Sequence, residues 1–214
     1  MAAAPADNSL PVIFGRSSSH FTRVVRIFAA EMGVVHSFQV VRNLMSSDAQ
    51  DYGGNPALKM PTLQTPRGLW FGALNISREL TRLSGLGRRV VWPEDLTQAI
   101  AASAQELVLG AMATEVALIM GKAVGSGAGG PHEAKMRTSL LSTLVWLEDN
   151  AAAALATLPP ERDLSTLEVT LFCLVTHLGF RAVLPTDGYV QLNEFVERFA
   201  QRASAAATAY HFDS

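Results

Sequence analysis

The sequence predicts a small α/β domain followed by an all-helical one. Three observations carry this expectation. Strand-like runs are confined to the first third of the chain, they alternate with helical spacing in the order β-α-β-α-β-β-α over 10–83, and every long segment beyond 93 has helical character. A chain of 214 residues is long enough to bury a core in each part.

The run Leu10-Pro-Val-Ile-Phe14, apolar and β-branched and closed by Gly15, reads as a buried strand. Ser17, Ser18 and Ser19 offer N-caps for a helix in which Phe21, Val24, Val25, Phe28, Ala29 and Met32 recur at steps of three and four, ending near Gly33. The segment 34–41 returns to strand character with His36, Phe38 and Val40 on one face, and β-α-β order favours parallel pairing. The polar stretch 43–55 has room only for a short or irregular helix. A strand over 62–65, the turn Pro66-Arg-Gly68 and a hairpin partner over 69–71 follow. Ile76, Leu80 and Leu83 then mark a helix over 73–83. The run 84–92, opening Ser84-Gly-Leu-Gly-Arg-Arg, is a linker by composition. The remainder, 93–214, reads as helices over 93–122, 133–158, 165–180 and 190–210, with a Gly-rich loop over 121–131.

Composition excludes several functions. A net charge of -2 with scattered basic residues gives no footprint for nucleic acid. The single cysteine, Cys173, rules out an internal disulfide and a multi-cysteine metal site, and fits a reducing, cytoplasmic setting. Cys173 and His177 share a helix face, but two ligands do not make a zinc site, so Cys173 reads as core and no metal is expected. Residues 1–8 lack the basic flank and apolar run of a signal peptide and read as a disordered lead. The apolar stretch 107–120, interrupted by Glu115, is too short for a membrane span, so no membrane partner is expected.

Three motifs carry a resemblance. Asn55-Pro-Ala-Leu-Lys-Met-Pro61-Thr-Leu resembles Asn-Pro-x-x-Lys-Val-Pro-x-Leu of the glutathione S-transferase superfamily. Leu164-Ser-Thr-Leu-Glu168-Val169 is a capping box with a hydrophobic staple, like the Ser-x-x-Asp box of that superfamily's second domain. Leu192-Asn-Glu-Phe-Val-Glu-Arg198-Phe-Ala-Gln-Arg202-Ala-Ser is similar to its late Leu-x-x-Trp-x-x-Arg-x-x-x-Arg-Pro-Ser, with Phe195 for Trp and Ala203 for Pro. The resemblance implies a thioredoxin-like α/β domain over 10–83, a linker over 84–92 and an all-α bundle over 93–214. It implies cytosolic transfer of glutathione, as co-substrate, to a small hydrophobic electrophile, and a homodimer.

It also implies a site. In the superfamily the second proline of the first motif is cis, and the preceding residue, here Met60, pairs its backbone with the cysteinyl part of glutathione. A trans proline at a strand edge is the plain alternative for Pro61. Phe14 and the position of Cys173 leave neither a Tyr-type nor a Cys-type thiolate donor. Phe14-Gly-Arg-Ser-Ser-Ser19-His-Phe-Thr-Arg-Val-Val-Arg resembles the Ser-type pattern, with Ser19 as donor, Ser17 as its alternative and His20 in place of a proline. The serines serve equally as helix caps, and His20 reads as a surface histidine. Lys59 matches a lysine near the glycyl end.

The main departure is Gly72-Ala73, where the superfamily has Glu/Asp-Ser to bind the γ-glutamyl group. The Ala73 N–H and the helix dipole remain for a carboxylate, and Asn75 stands one turn late. A lost hydrogen bond to a charged group is worth about 1.5–3 kcal/mol, so a non-catalytic binding or assembly module stands as the second reading. Met112, Met120, Trp146 and Phe172 have core spacing and are candidates to line an acceptor pocket.

Overall fold

A computed structural model describes residues 10–123, 125 and 130–214. The lead expected over 1–8 and part of the expected Gly-rich loop, 124 and 126–129, lie outside the described residues. The chain divides into two compact units. One runs up to Gly87 and takes in Ala207–Ser214; the other is Arg88–Ala206.

In the first unit β1 (Val12–Gly15) leads through a Ser19-capped turn into α1 (His20–Glu31), and β2 (Ser37–Val40) returns parallel to β1 with Ile13 opposite Phe38. As expected, His36, Phe38 and Val40 share one half-buried face, alternating with exposed Ser37 and Gln39. The polar stretch that follows holds one short 3-10 turn, Ala49–Tyr52. β3 (Thr62–Thr65) and β4 (Gly68–Phe71) form the expected hairpin, and α2 (Ala73–Leu83) follows. The sheet order is β2-β1-β3-β4, with β3 antiparallel to β1.

Alternation along β1 divides the core. Ile13 sits beside Leu63, and both are fully buried, as are Val24 and Phe28 of α1 and Ile76 and Leu80 of α2, two helices that pack together. Each such side chain contributes about 1.5–3 kcal/mol of transfer free energy. Phe14 belongs to a second cluster with Val41 and Tyr52, against which Val12, Leu44 and Met60 pack. The end of β1 is tight: a Cβ on Gly15 would lie 2.4 Å from the Thr22 methyl, so any side chain there displaces α1.

In the second unit β5 (Val90–Val91) pairs in parallel with β6 (Leu164–Ser165). The helices are α3 (Ala99–Ala123), α4 (Pro131–Ala156), α5 (Thr166–Arg181), α6 (Val190–Ala200) and α7 (Ala203–Ala206). The helix expected from 93 starts six residues later, because Pro93–Asp95 forms a separate 3-10 turn in which Asp95 accepts from the Trp92 N–H at 2.8 Å. α3 is longer than the apolar stretch read from the sequence, and by length and composition it is sufficient to cross a membrane. It packs with α4 and α5, and its buried Glu115 lies 2.8 Å from Nδ1 of buried His177 on α5. His177 thus pairs with Glu115 rather than Cys173, which is fully buried as core.

The cap of α5 is partly as expected. Ser165 Oγ accepts from the Glu168 N–H at 3.1 Å. The Glu168 carboxylate, however, takes the Ser165 hydroxyl at 2.7 Å and Arg162 at 2.6 Å, because Ser165 lies in β6 with its backbone in register with Val91. The helix expected over 190–210 is broken. It stops at Ala200, resumes for one turn, and Arg202 donates to the Asp163 carbonyl at 2.9 Å. Such a tertiary contact overrides the helix propensity of the alanine-rich stretch.

Candidate functional site at one end of the first unit's sheet

Strand register gathers most of the candidate residues. Phe14, Thr62 and Phe71 are side by side across β1, β3 and β4. At about 4.8 Å between strands, the three chain segments leaving this end emerge within about 10 Å. They are the turn carrying Ser17, Ser18 and Ser19, the segment Lys59-Met60-Pro61, and Gly72-Ala73 with Asn75 one turn on. The resemblance assigns these residues to one ligand; the register of β1, β3 and β4 brings their segments to one sheet end.

Ser19 is the N-cap of α1, with extended backbone, and its Oγ accepts from the Thr22 N–H at 3.3 Å. A hydroxyl accepting one bond still has its own proton to donate. Ser17 is buried and engaged twice: its N–H donates to Asp213 Oδ2 at 2.8 Å, and its Oγ accepts from Arg26 at 3.3 Å. Burial lowers the Arg26 pKa and the Asp213 carboxylate pulls it back up, with Arg23 lowering it further. His20, read from the sequence as a surface histidine, is fully buried, its ring edge-on to Phe21 at 4.6 Å. It is the first residue of α1.

The Met60–Pro61 bond is cis. The loop before it is held by buried Asn55, whose Nδ2 donates to the Lys59 carbonyl at 2.7 Å and whose Oδ1 accepts from the Ala57 N–H at 2.9 Å. The Lys59 side chain is exposed, and Met60 is half-buried against the Phe14 cluster. Thr62 then donates its hydroxyl to the Tyr52 carbonyl at 2.8 Å. Phe14 sits deep in its cluster and presents no polar group to this end.

α2 begins at Gly72, whose φ of +82° suits glycine, and no side chain caps the helix. The opening N–H groups at Ala73 therefore keep the partial positive charge of a helix start. Asn75 is exposed and its Nδ2 donates to the Phe71 carbonyl at 3.2 Å. Further along α2, buried Glu79 receives Arg67 from the hairpin and Arg82 at 3.0 Å. The hydrogen bond to Glu79 raises the Arg67 pKa. Trp70 lies against both guanidinium groups, at 5.8 and 5.6 Å.

Two features of this end had no local sequence signal. Asp213 lies 196 residues from Ser17. Tyr210, from the same closing segment, places its ring 4.3 Å from the Arg23 guanidinium. The acceptor-pocket candidates Met112 and Phe172 are buried in the helical unit.

No protein-family model and no curated protein matches the sequence. Solved structures do match the fold. A glutathione transferase family member from Pseudomonas fluorescens Pf-5, solved with bound glutathione, is similar at a TM-score of 0.78 and 21% identity, over 94% of this chain and 99% of that one. A glutathione S-transferase from Methylobacillus flagellatus KT with glutathione bound gives 0.72 and 18%, over 94% and 100%. Gtt2 from Saccharomyces cerevisiae gives 0.65 and 16%, over 92% and 99%.

Proposed function

We propose that this chain, which has the fold of the glutathione transferases, binds glutathione at the sheet end just described and transfers its thiolate to a small hydrophobic electrophile. The convergence of the Ser19 cap, the Met60–Pro61 segment and the uncapped start of α2 at that end carries the reading. Similarly folded proteins were solved with glutathione bound, which supports the reading.

Each residue has a distinct part. The Met60 backbone pairs with the cysteinyl unit. The Ala73 N–H and the dipole of α2 hold the γ-glutamyl carboxylate, with Asn75 beside them, and Lys59 meets the glycyl carboxylate. Ser19, its oxygen already fixed by the Thr22 N–H, donates its proton as a hydrogen bond to the sulfur. A preorganised donor favours the thiolate over the thiol. The thiol proton leaves to solvent. The sulfur lone pair then forms a C–S bond to the electrophilic carbon, and the leaving group takes the bonding electrons. Ser17, buried where Ser19 is half-exposed, is the weaker candidate for this donor.

A second reading, a binding or assembly module without turnover, is favoured by one observation. The Asn75 amide that would help hold a γ-glutamyl group donates instead to the Phe71 carbonyl.

Calorimetric titration with glutathione tests binding, and conjugation to a chlorinated dinitrobenzene tests turnover. At about 100 times its dissociation constant glutathione adds about 2.7 kcal/mol to stability. The absence of both heat and thermal shift at millimolar glutathione refutes the first reading. Binding without conjugation of any electrophile moves the assignment to the second.

A further inference from the structure

We propose that Ser17 and Arg26 form a binding site for a small carboxylate ligand, which Asp213 occupies from within the chain. The closing segment Ala207–Ser214 is then a strap that competes with such a ligand.

The Asp213 side chain is only 8% exposed, and buried carboxylates are costly without partners. The partners are present. The Ser17 N–H donates to Oδ2 at 2.8 Å, and the His211 Nε2 lies 3.8 Å from Oδ1. Arg26, bound to the Ser17 hydroxyl, carries the positive charge that Asp213 opposes. The rest of the strap follows the same chemistry: Arg42 donates to the Ser214 main-chain oxygen at 2.7 Å, and Arg23 stacks on Tyr210. Three arginines of α1 and the β2 end thus face a segment that brings one buried carboxylate. An amide N–H beside a guanidinium accepts any carboxylate of similar size.

The strap is built to lift. It has no helix or strand, and Ala207, Ala209, His211 and Phe212 are exposed, Phe212 to 65%. Its release opens few buried apolar contacts, placing it at the low-stability end of local openings. A tethered carboxylate acts at an effective concentration in the millimolar range, so an external one meets strong competition. Whether glutathione is that external ligand rests on the function proposed above.

The test follows the Ser17 amide by NMR during acetate titration of the wild type, Asp213→Asn, and a variant lacking His211–Ser214. The truncated variant retains Tyr210 on Arg23, and preserved α1 amide signals report folding. The proposal expects acetate to half-shift the Ser17 amide at a concentration at least about tenfold lower in both variants. Equal midpoints in all three proteins, or a Ser17 amide that ignores acetate in the variants, overturns it. A parallel glutathione titration separates the two claims. Acetate gain without any glutathione response leaves the strap standing and removes the glutathione reading. Equal glutathione binding with no acetate gain does the reverse.

Discussion

The Asn55 amide donates to the Lys59 carbonyl at 2.7 Å, tying the start of the proline-containing loop to its end. The same side chain accepts from Ala57, so one buried residue fixes the backbone that enters β3. Asn55→Ala is expected to destabilise the protein by about 1–2 kcal/mol in urea unfolding and to weaken glutathione binding about tenfold. Asn55→Asp retains the acceptor for Ala57 and loses the donor to Lys59. It is expected to keep more stability while still weakening binding; full binding in both variants dissociates this loop from the ligand.

Ser19 has two roles that substitution separates. As a cap, Ser19→Ala costs about 1 kcal/mol, whereas Ser19→Gly costs only a few tenths. As thiolate donor, the hydroxyl is lost in both. The thiol pKa of bound glutathione, read from thiolate absorbance, is expected to rise in both variants with little change in affinity. Ser17→Ala leaves that pKa unchanged. A pKa that moves with Ser17→Ala and not with Ser19→Gly reassigns the donor.

Glu79 is fully buried between two half-exposed arginines. Glu79→Ala frees Arg67 and Arg82 to rehydrate but removes the bridge from hairpin to α2, an expected loss of about 1–3 kcal/mol. The loss should shrink in Glu79→Gln, which keeps one accepting oxygen for the arginines. Equal stability of the wild type and Glu79→Ala contradicts a bracing role.

Asp163 predicts the acid side of the stability curve. The Arg89 N–H, donating at 2.7 Å, holds its carboxyl below the usual carboxylate range, with the charges of Arg89 and Arg88 adding to this against partial burial. A depressed folded-state pKa stabilises above the unfolded value, near 4, and that stability is lost as pH falls through the folded one. Asp163→Asn is therefore expected to be less stable than the wild type at neutral pH and to converge with it in strong acid. A constant gap down to pH of about 2 contradicts the linkage.

Much of the first unit was legible because its signals are local. The β1–α1–β2 order, the hairpin turn at Pro66 and the spacing of α2 each follow from residues a few positions apart. The Ser19 and Ser165 caps were legible for the same reason. What escaped were relationships set by tertiary contact. Nothing near Ser17 announces Asp213, and the break after Ala200 runs against alanine propensity. Nothing beside His20 in the sequence marks its burial. The return bond of the α5 capping box failed because Ser165 also serves in β6. At the candidate site the residues and their common ligand came from motif resemblance, while the register of Phe14, Thr62 and Phe71 that brings their segments together did not.

That convergence is tested most directly by amide shift mapping during titration of the wild type with reduced glutathione. The account predicts saturable shifts concentrated at Ser19, Met60 and Ala73, which lie in the three segments leaving one sheet end. Saturable shifts confined elsewhere, or no shift at millimolar glutathione, would contradict it.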